Sequence, residues 1–254
     1  KLNIMDNGYA KIYVGDSKEG WVEALKIFLA LITKPECEDI KHIKISYNSI
    51  RPRGEKLNTF GGTASGHESL KDMFIGIDKV FKDELDKTLE PMERVGNRYY
   101  VRPIHILDIC NLIGNNVVVG GVRRTSEMFL CDVDDWEVIL AKYGINGIWD
   151  KERHEELGKL LYSFDLLPHW WNDEALLQSR TNLTHRRMSN NSISFKEKPS
   201  KEILRLIFEI MKREGEPGFV NLEAAKKRRP NAKGLNPCGE VLLDDKQVCN
   251  LTTV

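Results

Sequence analysis

The sequence predicts an α/β fold, a sheet layered with helices or a barrel of alternating strands and helices. Two observations predict it. Short β-rich runs alternate with longer runs along the chain. The longer runs carry apolar residues at three- and four-residue spacing, as one face of a helix requires.

Each element follows from local chemistry. Residues 9–15 (YAKIYVG) alternate and read as a short strand. Gly15-Asp16-Ser17 is a turn able to start a helix, with Asp16 or Ser17 as N-cap. Trp21, Leu25, Phe28, Leu29 and Ile32 mark its apolar stripe, and Pro35 stops it. Residues 43–47 (IKISY) read as a strand. Ile50 to Gly66 is irregular, with Arg51, Arg53 and several glycines, a loop suited to phosphate or another anion. Residues 68–87 predict a helix with Leu70, Phe74, Ile77 and Phe81 on one side. A further helix over 103–114 leads into a second Gly-Arg loop, Gly120-Gly121-Val122-Arg123-Arg124. Residues 126–131 suggest a strand, and Trp136 to Leu140 a short helix. The stretch 144–187, rich in charge and Trp, resists assignment. Residues 189–195 (SNNSISF) read as a strand carrying polar groups inward. Pro199 and Ser200 open a helix through about Lys212, with Ile203, Leu206, Ile207 and Ile210 on one face. Glu216-Pro217-Gly218 breaks it, 219–221 starts another strand, and Leu222 to Arg229 is compatible with helix. The basic run 226–229 reads as a solvated face or loop.

Totals narrow the function. The chain has 254 residues, room for one large α/β domain or two smaller ones. Lys+Arg and Asp+Glu balance at 38 each, which argues against coating nucleic acid. No apolar run approaches the length that spans a bilayer, so no membrane role is expected. The start has neither a signal-peptide core nor an initiating Met, so the chain is expected to begin inside a longer protein. Five cysteines, with no C-x-x-C and no zinc spacing, point to a reducing cytoplasm and no metal site. Cys37, Cys110 and Cys131 read as small buried hydrophobes, the six histidines as structural or surface groups, and Trp170-Trp171 as core or interface.

The strongest chemical signal is Asn236-Pro237-Cys238-Gly239-Glu240, followed by Cys249. An amide, a thiol and a carboxylate on alternate residues can face one small polar substrate in an extended or tightly looped backbone. That outlines a redox or nucleophilic site.

Nine stretches, in order, carry a family resemblance: GDSKEGW (15–21), IRPRG (50–54), FGGTASG (60–66), DICNLIG (108–114), GGVRR (120–124), SNNS (189–192), GEPGFVN (215–221), NPCGE (236–240) and CNL (249–251). Together they resemble the catalytic subunit of ribonucleotide reductase, most closely the adenosylcobalamin-dependent, monomeric ribonucleoside-triphosphate type. The resemblance implies part of a ten-stranded α/β barrel over 1–254, with a finger loop at 234–243 and specificity loops at 50–66 and 116–125. Residues 1–12 are read as the tail of an N-terminal insertion. It implies that Cys238 becomes a thiyl radical that removes the ribose 3′-hydrogen. Glu240 is then the general base for the 3′-hydroxyl, Asn236 holds the ribose hydroxyls, and Cys249 is one of the reducing pair. Asp16 matches the acid that bonds the ribose of a deoxynucleoside triphosphate effector. Arg51 matches a phosphate-contacting position, and Arg123 the second-loop arginine near the substrate. The implied partners are a ribonucleoside triphosphate, a dNTP effector, adenosylcobalamin, a thioredoxin-like reductant and the remainder of the same enzyme.

The chain departs from the family pattern where the partner thiol of Cys249 belongs. No cysteine precedes Cys37, which lies after GDSKEGW, so the chain reads as a fragment unable to complete a turnover alone. Two other readings compete. One is a nucleotide-binding regulatory fragment that keeps Asp16, Arg51 and Arg123 but lacks chemistry. The other is a cysteine hydrolase using Cys238, which needs a histidine base at hydrogen-bond distance.

Overall fold

The computed structural model describes residues 1–57, 62–95, 98–119, 122–123, 125–148 and 150–249, the side chains of 98, 118–119 and 122–123 excepted. In chain order the strands and α-helices are β1 (Leu2–Met5), β2 (Tyr9–Tyr13), α1 (Lys18–Thr33), β3 (His42–Ser46), α2 (Glu68–Phe81), β4 (Arg94–Val95), β5 (Arg98–Tyr99) and α3 (Pro103–Asn116). Then come β6 (Val118–Val119), β7 (Val122–Arg123), β8 (Glu127–Cys131), α4 (Trp136–Ile139), α5 (Lys151–Ser163), α6 (Glu174–Arg180), β9 (Ser189–Phe195), α7 (Lys201–Glu214), β10 (Gly218–Asn221), α8 (Leu222–Arg228), β11 (Gly234–Leu235) and β12 (Leu242–Leu243).

The chain forms two compact units, the first of Lys1–Asp78, Pro91–Arg102 and Asn115–Arg124, the second of Lys79–Glu90, Pro103–Gly114 and Thr125–Val254. In the first, β1 pairs antiparallel with β2, and β2 pairs parallel with β3, so α1 is the crossover between parallel neighbours. The cap of α1 is Ser17, not Asp16: the Ser17 hydroxyl accepts from Gly20 N–H at 3.0 Å. Ala10, Ile12 and Val14 of the β2 segment, Phe28 of α1 and Leu70, Phe74 and Ile77 of α2 are buried. Phe28 and Phe74 meet edge to face with centroids 5.0 Å apart.

The helix expected over 68–87 ends at Phe81. Asp83 takes φ +57°, a left-handed conformation that no helix continues, and its N–H turns back to Val80. α3 runs two residues beyond the expected 114.

In the second unit β8, β9 and β10 form a parallel sheet in the order β10-β9-β8. Its central strand, β9, is buried along most of its length, and Ser189, Asn191, Ser192 and Ser194 are the polar groups expected to point inward. α7 carries an N-cap bond from Ser200 Oγ, which accepts from Ile203 N–H, and ends on Gly215 at φ +73°, where a side chain is disfavoured. Its Leu206, Ile207 and Ile210 join Ile104, Leu107, Leu161, Trp171 and Ile193 in the core. The stretch 144–187 resolves into α5 and α6, capped by Asp150 and Asp173.

The described strands form two three-stranded sheets and three two-stranded pairs, an α/β arrangement. Among the described residues, no helix is long and apolar enough to cross a membrane.

Candidate active site at the β11–β12 hairpin

Asn236 to Val241 form a six-residue loop between β11 and β12, which pair antiparallel through Gly234–Leu243 and Leu235–Leu242. Asn236 organises the loop. Its N–H donates to Val241 O (3.2 Å) and its carbonyl accepts from Gly239 N–H (2.9 Å). Its side-chain Oδ1 accepts from Val241 N–H at 2.9 Å, while Nδ2 donates to Glu240 Oε2. Gly239 sits at φ +84°, so the turn favours a residue without Cβ. Asn236 is buried, whereas Cys238 and Glu240 are exposed at the same tip. The amide and the carboxylate thus meet directly, with the thiol presented outward between them in sequence.

The base of the hairpin is held by Arg229. Its guanidinium donates to Asp244 Oδ1 (2.9 Å), Leu242 O (2.9 Å) and Gln247 Oε1 (2.6 Å). The expectation of a solvated basic run therefore holds for Lys226, Lys227 and Arg228, which are exposed, but not for half-buried Arg229. Its fork matches a carboxylate and two carbonyl-type acceptors, which three monodentate lysine bonds reproduce poorly. Composition carried no signal for this role, because the acceptors lie 13 to 18 residues downstream.

Behind the loop, several sequence motifs join. Asn190 of SNNS donates from Nδ2 to Pro237 O of NPCGE. Asn111 of DICNLIG accepts from Ser189 N–H at 2.9 Å. Glu216 of GEPGFVN accepts from Asn191 N–H (3.2 Å) and pairs with Lys142 Nζ (2.6 Å), which also donates to Ser189 O. Gly114 allows close approach at the end of DICNLIG: a Cβ there would fall 2.3 Å from Glu127 Oε1 and 2.7 Å from Met188 Cγ.

A buried ionic knot underlies this frame. Asp108 accepts from Arg186 Nε (2.7 Å) and Nη2 (2.7 Å) and contacts His185 Nε2 at 2.7 Å. Asp86 lies 2.8 Å from Arg186 Nη2 and accepts from Thr88. Burial alone would raise the pKa of both carboxylates. The adjacent guanidiniums overcome it and lower both, Asp108 well below the usual range, with Arg186 the largest opposing charge in each case. The knot joins α3 to the residues leading into β9, over sequence separations of 77 and 78.

Cys249 is half-buried, and all five cysteines are free thiols. Cys131 fits the small-hydrophobe reading: it is buried, and desolvation pushes its pKa up to about 12. Cys37 and Cys110 are only partly buried, and burial raises the Cys110 pKa, with Glu127 adding to it. Trp170 and Trp171 are core residues. Five histidines have other partners: His42 stacks on Tyr9, His67 stacks on Tyr47, His154 meets Tyr143 and Trp171, His169 lies beside Glu90, and His185 contacts Asp108. The sixth, His105, is buried in α3. The hydrolase reading gains no support.

In the first unit, Asp16 and Arg51 come together: Arg51 Nε donates to Asp16 Oδ2 at 2.7 Å, with both side chains about one-third exposed. The segment is set by Gly15 and Gly20, since a Cβ on Gly20 would lie 2.8 Å from the Gly15 carbonyl oxygen. Arg123 lies in β7, with its side chain outside the described residues, as are most of GGVRR and residues 58–61 of the first loop.

The chain is similar to ribonucleotide reductases of the B12-dependent kind. The family model "B12-dependent ribonucleotide reductase, insertion domain" matches residues 3–81, which takes in residues 1–12 almost entirely and continues through GDSKEGW and IRPRG. A solved B12-dependent (class II) ribonucleotide reductase superposes with a TM-score of 0.63 at 25% identity, over 95% of this chain and 28% of that one. The individual relatives are adenosylcobalamin-dependent ribonucleoside-triphosphate reductases. That of Lactobacillus helveticus is 31% identical over 95% of this chain, and that of Lactobacillus leichmannii 30% identical over 94%. A putative adenosylcobalamin-dependent ribonucleoside-triphosphate reductase of Mycobacterium phage D29 is 28% identical over 94% of the chain. The chain spans about 28% of the length of the Lactobacillus relatives.

Proposed function

We propose that this chain is the radical-finger and effector-reading segment of a ribonucleoside-triphosphate reductase that makes 2′-deoxyribonucleotides for DNA synthesis. The observation that carries this reading is the hairpin tip, where Asn236 and Glu240 are hydrogen-bonded and Cys238 stands exposed between them. An exposed thiol on a short hairpin fits a radical donor that must approach from outside the loop. When bound, adenosylcobalamin supplies the radical that takes the hydrogen atom from this thiol.

The steps assigned to the chain's own residues follow from their chemistry. The Cys238 thiyl removes the 3′-hydrogen of the ribose. Glu240 accepts the 3′-hydroxyl proton, and a proton from one of the two reducing thiols lets the 2′-hydroxyl leave as water. Asn236 orients Glu240 through Nδ2 and keeps one N–H for the ribose hydroxyls, since an amide carries two. Two thiols, one of them Cys249, supply two electrons and become a disulfide, which a thioredoxin-like reductant reopens by thiol–disulfide exchange. The carboxylate and guanidinium of Asp16 and Arg51 suit the ribose and phosphates of a deoxynucleoside triphosphate effector, and Arg123 suits the relay to substrate. The ten-stranded barrel and its closure around the finger belong to the complete enzyme, and a cytoplasmic setting suits a cycle that must be re-reduced each turn.

The test is Cys238→Ser in the complete enzyme. Deoxynucleotide formation should fall to background while effector binding by calorimetry stays intact. Normal turnover by that variant would falsify the reading. Effector binding with no turnover by the unaltered enzyme would instead favour the regulatory alternative.

A further inference from the structure

We propose that Asn190 is a positioning residue for the radical finger, acting through the Pro237 carbonyl rather than on substrate. The inference rests on the reductase reading for its consequence in turnover, but its structural half stands alone. Asn190 is exposed at the start of β9, and its side-chain Nδ2 donates to the carbonyl oxygen of Pro237, the residue immediately before Cys238. The hairpin's own bonds fix Asn236, Gly239 and Val241 relative to one another and to Arg229. Asn190 adds a bond from the parallel sheet to the tip itself.

The donor is held on a rigid base. The neighbouring Ser189 N–H is taken by Asn111, its carbonyl accepts from Lys142, and the following Asn191 N–H goes to Glu216. Backbone groups on both sides of Asn190 are therefore pinned by buried or half-buried side chains from α3, the Lys142 turn and the Glu216 turn. A side chain launched from so fixed a strand transmits the position of the sheet to the peptide that carries the thiol. A short, directional donor suits this task, because a reacting sulfur misplaced by about 1 Å costs on the order of a hundredfold in rate.

Two variants of the complete enzyme test it. Asn190→Ala removes the side chain, and Asn190→Asp keeps its size and removes the donor. Both should leave the thermal midpoint unchanged, as expected at an exposed position. Both should speed hydrogen exchange of the 236–241 amides about 2- to 10-fold, the factor matching one hydrogen bond. Both should lower kcat with KM for the ribonucleotide unchanged. Unchanged exchange in both variants overturns the proposal. So does wild-type behaviour of Asn190→Asp alone, since volume rather than the donor would then matter. Faster exchange in the variants of an enzyme that shows no reductase turnover would uphold the positioning role and remove the reductase reading.

Discussion

Asp108 shows how much one residue can hold. It is buried between Arg186 and His185, and its carboxylate is kept ionised against the cost of desolvation. Removing one partner from such a buried pair costs about 3–5 kcal/mol, so Asp108→Asn should lower the urea midpoint of the complete protein substantially. The same group sets an acid limit. Its folded pKa, like that of Asp86, is depressed, so the stabilisation is fully present above the unfolded value near about 4. It is lost as pH falls toward the folded value, because the unfolded chain then binds more protons. Urea midpoints should therefore decline between about pH 4 and pH 2, and less steeply in Asp108→Asn. The thiols divide in the same way. Cys131, buried and pushed up to about 12, should resist iodoacetamide at neutral pH, whereas exposed Cys238 should be alkylated first, as peptide mapping would show. Asp108 stands in a motif that the sequence marks out, yet its partners lie too far along the chain for spacing to reveal the knot.

Elements were legible where local chemistry and packing agree. α1 and α7 combine a serine cap with an apolar face, and both lie where the sequence expects them. β9 was legible through its polar alternation, because the buried serines and asparagines find partners within the second unit. The 144–187 stretch hid α5 and α6 because charged residues interrupt their apolar faces. The signals available were their caps, Asp150 and Asp173. α2 stopped early for a reason composition does not carry, the left-handed Asp83. At this scale Gly20 is the most testable position. Its Cβ would press on the Gly15 backbone, which unlike a flexible side chain has no easy way to yield. Gly20→Ala should destabilise the first unit by about 1–3 kcal/mol and displace Asp16, and denaturant melts paired with effector calorimetry would read both.

For the whole molecule, the motifs were legible as an ordered set, but not the way they connect. DICNLIG, SNNS, GEPGFVN and NPCGE span residues 108 to 240, and hydrogen bonds through Asn111, Asn190 and Glu216 join them in one unit. Side chain to backbone bonds of this kind leave no periodic trace in a sequence. The described strands form two three-stranded sheets and three pairs, and the ten-stranded barrel that the resemblance implies stays an expectation, because closure is a property of strands drawn from a whole domain. Asp16 and Arg51 belong to the first unit and the β11–β12 hairpin to the second. Under the proposed reading, Arg51→Ala should weaken dNTP binding and blunt effector control, while residual turnover still requires Cys238; binding isotherms and product ratios across effectors would separate the two. The Arg229 clamp carries one more consequence. Its acceptors all lie within eighteen residues, so thiol, amide and acid travel together as a compact cassette. Grafted onto an unrelated scaffold, residues 229–247 should keep the base of the hairpin, whereas the 236–241 tip should loosen without Asn190 to hold the Pro237 carbonyl.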